Sequence, residues 1–164
     1  IAADWKDSAH DQGGVGCADC HGGDPRSDEI GVAMDPENGL VGAPGRLESV
    51  GLCGSCHADV VRMKASGLPT DQYAKYWSSV HGQQLITNND PRVAVCTDCH
   101  GVHDILPSSD PRSHIAPANL AATCGNCHPG AGTSFAIGAV HVVPVHPAGA
   151  LVRVGGPELV HVAA

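Results

Sequence analysis

The five-residue motif Cys-x-x-Cys-His occurs four times in this chain of 164 residues and uses all eight of its cysteines. Two thiols at this spacing can form thioethers with the two vinyl groups on one edge of a porphyrin, and the histidine that follows then lies under the iron as its proximal ligand. The motifs therefore predict four covalently bound haem c groups with their irons. The attachment residues would be Cys17, Cys20, Cys53, Cys56, Cys96, Cys99, Cys124 and Cys127, and the proximal ligands His21, His57, His100 and His128.

Zinc is the main alternative to haem, because paired Cys-x-x-Cys units also build four-cysteine zinc sites. A single unit can also be a thioredoxin-type redox pair, and cysteines in general can form structural disulfides. None of these requires a histidine directly after the second cysteine, yet the histidine is present in all four copies. The pattern favours haem attachment.

On these motifs, and on isolated histidines such as His81, residues 5–141 resemble the multihaem c-type cytochromes. The resemblance implies a fold that is mostly coil, with short α-helices wrapped around four covalently bound haems. The chain is less similar to the small basic periplasmic tetrahaem cytochromes, which carry many lysines and often have longer motifs. It is more similar to the acidic, loop-rich tetrahaem modules of extracellular cytochrome filaments and membrane-linked respiratory complexes.

The composition independently favours a bound prosthetic group. One Phe, two Trp and two Tyr stand against 21 Gly and 12 Pro, which would make a poor interior from protein side chains alone. Four porphyrins would supply the missing apolar mass.

The formal net charge is −8, which argues against nucleic acid and against anionic membrane surfaces as partners. No apolar run approaches the roughly 18 residues of a membrane span. Because the chain begins with Ile and haem c is generally attached outside the cytoplasmic membrane, we expect an exported, extracellular or periplasmic protein whose signal has been removed.

The motifs alternate in type along the chain. The first and third have Asp before the second cysteine and follow an aromatic-x-x-Ser-x-His segment, whereas the second and fourth have Gly after the first cysteine. This order predicts a duplicated two-haem module, with modules at residues 1–68 and 69–132. The alternative is that haem motifs look alike wherever they occur.

Between the motifs, the pattern predicts a surface loop over residues 22–46 and a short helix over residues 58–66 that ends at Gly67. A second helix is predicted from a cap at Thr70 to about Ile86, with Val80 on its apolar face. Residues 87–123 are predicted to be irregular because prolines interrupt them.

The Val-rich tail, residues 133–164, has no haem motif. Two β-branched runs around Gly155-Gly156-Pro157-Glu158 predict a small hairpin. An isolated hairpin is marginal in water, so it would pack on its own domain or pair with another subunit in a homo-oligomer or polymer.

Each haem also needs a sixth ligand or an open position. Only two methionines exist, so ligation by a second histidine, which gives low-potential haems, is the simplest expectation. The predicted distal ligands are His10, His81, His103 and His141. His103 lies too close to His100 to reach the opposite face of the same haem, so it would bind a neighbouring iron. The remaining candidates, which could instead be ordinary surface histidines, are His114, His146 and His161.

Three functions fit these observations. The first is electron transfer between other redox proteins through four closely packed haems, as a conduit that could polymerise into a filament. The second is an electron-transfer subunit of a membrane quinol-oxidising complex. The third, a haem reductase, would need a five-coordinate haem, and neither a Cys-x-x-Cys-Lys motif nor a shortage of histidines indicates one, so we do not predict an enzyme.

Overall fold

The computed structural model describes residues 2–88, 90–137, 140–141, 151–153 and 159–161. In this part of the chain, short α-helices alternate with turns and coil, which confirms the predicted architecture. The helices are α1 Ala2–Trp5, α2 Ala9–Gln12, α3 Cys17–His21, α4 Ile30–Ala33, α5 Arg46–His57, α6 Val60–Met63, α7 Gln72–Ser78, α8 Val80–Asn88, α9 Cys96–His100 and α10 Leu120–Gly125, and a 3₁₀ turn spans Pro36–Asn38.

The first and third motifs form matching one-turn helices, α3 and α9. In each, the aspartate before the second cysteine caps the start of its own helix. The Asp19 carboxylate accepts a hydrogen bond of 2.7 Å from the Gly16 N–H, and the Asp98 carboxylate accepts one of 2.7 Å from the Val95 N–H. A carboxylate is also favourable at the positive end of a helix. The aspartate therefore orients the cysteines and histidine of both motifs in the same way.

The single helix predicted from Thr70 to Ile86 is two helices, α7 and α8. Ser79 separates them with an extended backbone (φ −71°, ψ 164°), and its hydroxyl accepts a hydrogen bond of 3.2 Å from the Gly82 N–H at the start of α8. A serine that caps a new helix is a local stop signal within an otherwise helical pattern. Val80 is 76% exposed and so does not belong to a buried apolar face as predicted.

The longest helix in the described part, α5, was not predicted. It begins at the end of the expected loop and ends with the second motif, where a two-residue break at Ala58 and Asp59 precedes α6. The predicted helix over residues 58–66 is reduced to α6, which the Asp59 carboxylate caps by accepting hydrogen bonds from the N–H groups of Val61 (2.8 Å) and Arg62 (3.1 Å). The described residues of the segment 87–123 are irregular apart from the end of α8, α9 and the start of α10.

The hydrophobic core is small and joins α5 to the helices that follow it. It consists of Val50 in α5, Tyr76 in α7, Leu85 in α8 and Val95 just before α9, all nearly inaccessible to solvent. The Tyr76 hydroxyl donates a hydrogen bond of 2.9 Å to the Ala94 carbonyl. The core thus sets α5, which carries the second motif, against α9, which carries the third.

The expected C-terminal hairpin is present as two short antiparallel strands, β1 Leu151–Arg153 and β2 Leu159–His161, with Leu151 opposite His161. Its predicted turn at residues 155–158 lies outside the described residues, as does His146. No helix in the described part of the chain is both long and apolar enough to cross a membrane.

Candidate haem-binding site

Each motif histidine faces one histidine from elsewhere in the chain, and the two ring centroids are 6.1 Å apart in all four cases. We number the sites 1 to 4 by the motif that supplies the first histidine. The pairs are His21 with His103 at site 1, His57 with His10 at site 2, His100 with His141 at site 3 and His128 with His81 at site 4. The structure therefore brings together the four motif histidines and the four predicted distal ligands.

The separation within each pair fits two imidazoles on opposite sides of one metal ion. A bond from a metal to an imidazole nitrogen is about 2.0–2.1 Å and the ring centroid lies roughly 1.1 Å beyond the nitrogen, so two axial rings stand about 6.2–6.4 Å apart. The observed value is 6.1 Å at every site, although the interplanar angles range from 28° to 49°. One recurring separation at four separate sites indicates a common bound group.

The number of ligands fits haem better than zinc. A structural zinc site needs four protein ligands, whereas a haem iron already has four porphyrin nitrogens and needs two axial ligands. Within the described residues, no group of three or more histidine, cysteine, aspartate or glutamate side chains could hold a metal ion. All eight cysteines are free thiols, beside histidine pairs that could each supply the two axial ligands.

Burial keeps the candidate ligands in the form that binds metal. Burial lowers the pKa of His100 to about 4, and it also lowers the pKa values of His57, His81 and His141. Burial, together with the neighbouring His57, lowers the pKa of His10. Metal ligation requires the neutral imidazole, so these rings are prepared for it at neutral pH.

Two of the rings are oriented by backbone carbonyls. The Nδ1 atom of His21 lies 2.8 Å from the Gly42 oxygen, and the Nδ1 atom of His141 lies 3.1 Å from the Gln72 oxygen. A hydrogen bond at Nδ1 fixes the tautomer that leaves Nε2 free to bind a metal. Sequence reasoning missed both partners, because any residue type can present a backbone carbonyl.

The attachment cysteines of neighbouring motifs are close to one another, in chain order. The thiols of Cys53 and Cys96 share a hydrogen bond, which lowers the pKa of Cys53 to about 7 and raises the pKa of Cys96. Burial and, next, the nearby Cys53 raise the pKa of Cys20. Burial, Asp98 and the nearby Cys124 raise the pKa of Cys99. Sites 1 to 4 therefore follow one another through adjacent attachment points.

Of the three remaining histidine candidates, only His114 has a described side chain, and it does not face a motif histidine. Its Nε2 atom lies 2.9 Å from an oxygen of Asp104, beside a cavity of about 370 Å³ that His103 also lines. For His161 the structure describes only the backbone, in β2.

The chain is 26% identical over 124 residues to the multiheme cytochrome MtrA of Shewanella baltica (strain OS185). The matched region is 76% of this chain but only 27% of that protein, so the chain spans about a quarter of the length of this relative. No solved structure matches the chain.

The family model of cytochrome c3 matches residues 9–129, a region that contains all four Cys-x-x-Cys-His motifs and every histidine of the four pairs except His141. This match covers well over half of the chain and agrees with the paired histidines and free cysteines. The chain therefore belongs to the cytochrome c3 family, multihaem electron-transfer proteins that bind haem c covalently.

Proposed function

We propose that this protein is an electron carrier that holds four haem c groups, each between two histidines, and that it is not an enzyme. The observation that carries the proposal is the set of four histidine pairs with one common separation of 6.1 Å. When bound, haem c supplies an iron that accepts and releases one electron without making or breaking a bond to a substrate.

The residues of the chain would attach each haem, ligate its iron and orient the ligands. The two cysteines would fix the porphyrin edge and the two histidines would fill both axial positions, and at sites 1 and 3 a backbone carbonyl would hold the ring of His21 or His141 in place. Filling both axial positions leaves no open position where nitrite or another small substrate could react. Two nitrogen ligands, without a methionine, favour low reduction potentials.

The positions of the sites support transfer along the whole chain. The attachment cysteines of sites 1 to 4 adjoin in chain order, and Cys17 of the first motif and Cys127 of the last are both exposed. We infer that electrons enter and leave at sites 1 and 4 and that other redox proteins, not nucleic acids, dock there. The covalent mode of attachment supports an exported, extracellular or periplasmic location, because haem c is generally attached outside the cytoplasmic membrane.

The finer proposal is a conduit that polymerises through the tail at residues 133–164. A two-stranded sheet has unpaired strand edges that can accept a strand from another chain, and a head-to-tail contact that does not close produces a filament. The competing role is the electron-transfer subunit of a membrane quinol-oxidising complex, in which the same tail would contact the membrane partner.

The haem proposal is tested with purified native protein. A pyridine haemochrome assay should give four haems per chain, and low-temperature EPR of the oxidised protein should show only low-spin ferric signals. The reduced protein should not bind carbon monoxide. A colourless protein that contains zinc would refute the proposal. A high-spin haem that binds carbon monoxide would favour a reductase.

The polymer proposal is tested by size-exclusion chromatography and negative-stain microscopy of the same protein. The control is a variant that ends after His141, which keeps all eight paired histidines. Filaments of the full chain that the shortened variant does not form would support the tail contact. A full chain that stays monomeric at high concentration contradicts it, and co-purification with a membrane cytochrome would favour the competing role.

A further inference from the structure

Arg46 makes four hydrogen bonds between the two halves of the chain, the predicted modules at residues 1–68 and 69–132. Its guanidinium donates two hydrogen bonds to the Asp98 carboxylate, of 2.8 and 2.9 Å. It donates two more to backbone carbonyls, of 3.0 Å to Pro91 and 2.8 Å to Val93. A planar guanidinium bound at four points has little freedom to move, and lysine cannot reproduce this geometry.

The two ends of this contact are attached to different sites. Arg46 is the first residue of α5, which ends in the motif of site 2, whereas Asp98 lies between the two cysteines of site 3 in α9. One turn after Arg46, Val50 of α5 is buried against Val95, which directly precedes α9. The ion pair and the core therefore fix α5 against α9 at two points, on the side where Cys53 meets Cys96.

The equivalent aspartate of the first motif shows that the motif itself does not need an arginine. Asp19 caps α3 as Asp98 caps α9, but no arginine in the described part of the chain donates a hydrogen bond to it. Arg46 is thus additional to the local structure of the motif, and its role lies between sites 2 and 3.

We propose that Arg46 is a positioning residue, which fixes the spacing between the Cys53 and Cys96 attachment points and so controls electron exchange between the two halves of the chain. This inference rests on the proposed function, because it assumes that groups are bound at sites 2 and 3. Electron exchange falls steeply with distance, so a small displacement of α5 from α9 would slow the exchange between sites 2 and 3.

The chain offers a matched control. Arg26 binds Asp24 through its Nε (2.9 Å) and Nη2 (3.2 Å) atoms, so it forms the same kind of bidentate pair. The two residues belong to one Asp-Pro-Arg turn on the surface, and the pair does not join different elements. Arg26→Gln therefore changes the net charge by the same amount as Arg46→Gln but leaves the contact between α5 and α9 intact.

The experiment compares Arg46→Gln, Arg46→Lys and Arg26→Gln with the unaltered holoprotein. Haem content and EPR establish that the sites are filled, a spectroscopic redox titration measures the potentials, and flash injection of one electron measures its redistribution between the haems. We expect Arg46→Gln to keep four low-spin haems but to slow one redistribution phase severalfold, because electron exchange falls steeply with the distance between the two groups. One potential should also fall, because the uncompensated Asp98 carboxylate stabilises the ferric iron.

Arg46→Lys keeps the charge but not the four hydrogen bonds, so it should slow the same phase while shifting the potential less. Arg26→Gln should change neither quantity. Rates and potentials that are unchanged in Arg46→Gln, or changed equally in Arg26→Gln, would overturn the inference, as would loss of haem from both Arg46 variants. The haem content of the unaltered protein distinguishes such a result from failure of the proposed function. If the unaltered protein holds four low-spin haems, the proposed function stands even where the role of Arg46 is refuted.

Discussion

Replacing Gly82 with alanine tests whether the contact between α7 and α8 positions site 4. Gly82 is in the first turn of α8, directly after the distal candidate His81. A Cβ atom at this position would come to 2.3 Å from the Tyr76 carbonyl oxygen and 2.7 Å from the Trp77 Cα atom. Both neighbours are backbone atoms, so no side-chain rotation can relieve the clash and the two helices must separate.

The magnitude follows from two opposing effects. Alanine is favoured over glycine inside a helix by about 1 kcal/mol. Overpacking costs typically 1–3 kcal/mol and more when backbone must move, so we expect Gly82→Ala to lower the free energy of unfolding by about 2 kcal/mol net. The shift of α8 should also carry His81 away from His128, which weakens the axial ligation at site 4.

The assay is denaturant unfolding of the holoprotein followed by far-UV circular dichroism, with EPR of the folded protein. Gly51→Ala is the matched control, because Gly51 lies in α5 and a Cβ atom there would meet nothing within 4 Å. The control should be as stable as the unaltered protein or up to ~1 kcal/mol more stable. A Gly82→Ala protein with unchanged stability and four low-spin haems would refute the reasoning.

Three further predictions follow from single contacts. His81→Ala should convert one of the four haems to a high-spin form that binds carbon monoxide when reduced. His114→Ala should leave all four haems low-spin, because His114 faces Asp104 and not a motif histidine. The reverse result would make His114, and not His81, the distal ligand. Tyr76→Phe should lower the free energy of unfolding by about 1–2 kcal/mol in denaturant titrations, because it leaves the Ala94 carbonyl without its hydrogen-bond donor. An unchanged unfolding midpoint would mean that water replaces the hydroxyl. Asp19→Ala should lower the free energy of unfolding by about 1 kcal/mol in the same titration, because α3 loses its cap. Asp19→Asn should be closer in stability to the unaltered protein, and equal effects of the two substitutions would contradict a capping role.

The sequence predicted the chemistry of the site better than its supporting structure. The motif spacing and the aromatic-x-x-Ser-x-His repeat indicated both members of the pairs at sites 2 and 4. The repeat also has a structural basis, because Ser8 and Ser79 are both buried and both cap the next helix, with nearly the same backbone angles. The assignment of these histidines as iron ligands stays a prediction.

The helices were harder to predict because most of them are short and the packing among them is limited. The apolar pattern of α5 is weak, since Val50 is its one apolar side chain in the core, and the position of α5 depends on distant contacts such as that of Arg46. Ser79 ends a helix although the apolar pattern continues past it. The division into modules at residues 1–68 and 69–132 also stays a prediction, and the core draws on both segments, with Val50 from the first and Tyr76 from the second.

The order in which the paired histidines occur along the chain differs from the order of the motifs. Site 2 has both of its histidines once residue 57 has been synthesised, but site 1 must wait for His103, a delay of 82 residues after His21. Site 4 follows at His128, and site 3 is completed last, by His141. On the proposed function, the haem attached to the first motif would therefore not be the first to gain both of its axial histidines, and a nascent chain that ends between residues 57 and 96 would hold that haem by His21 alone.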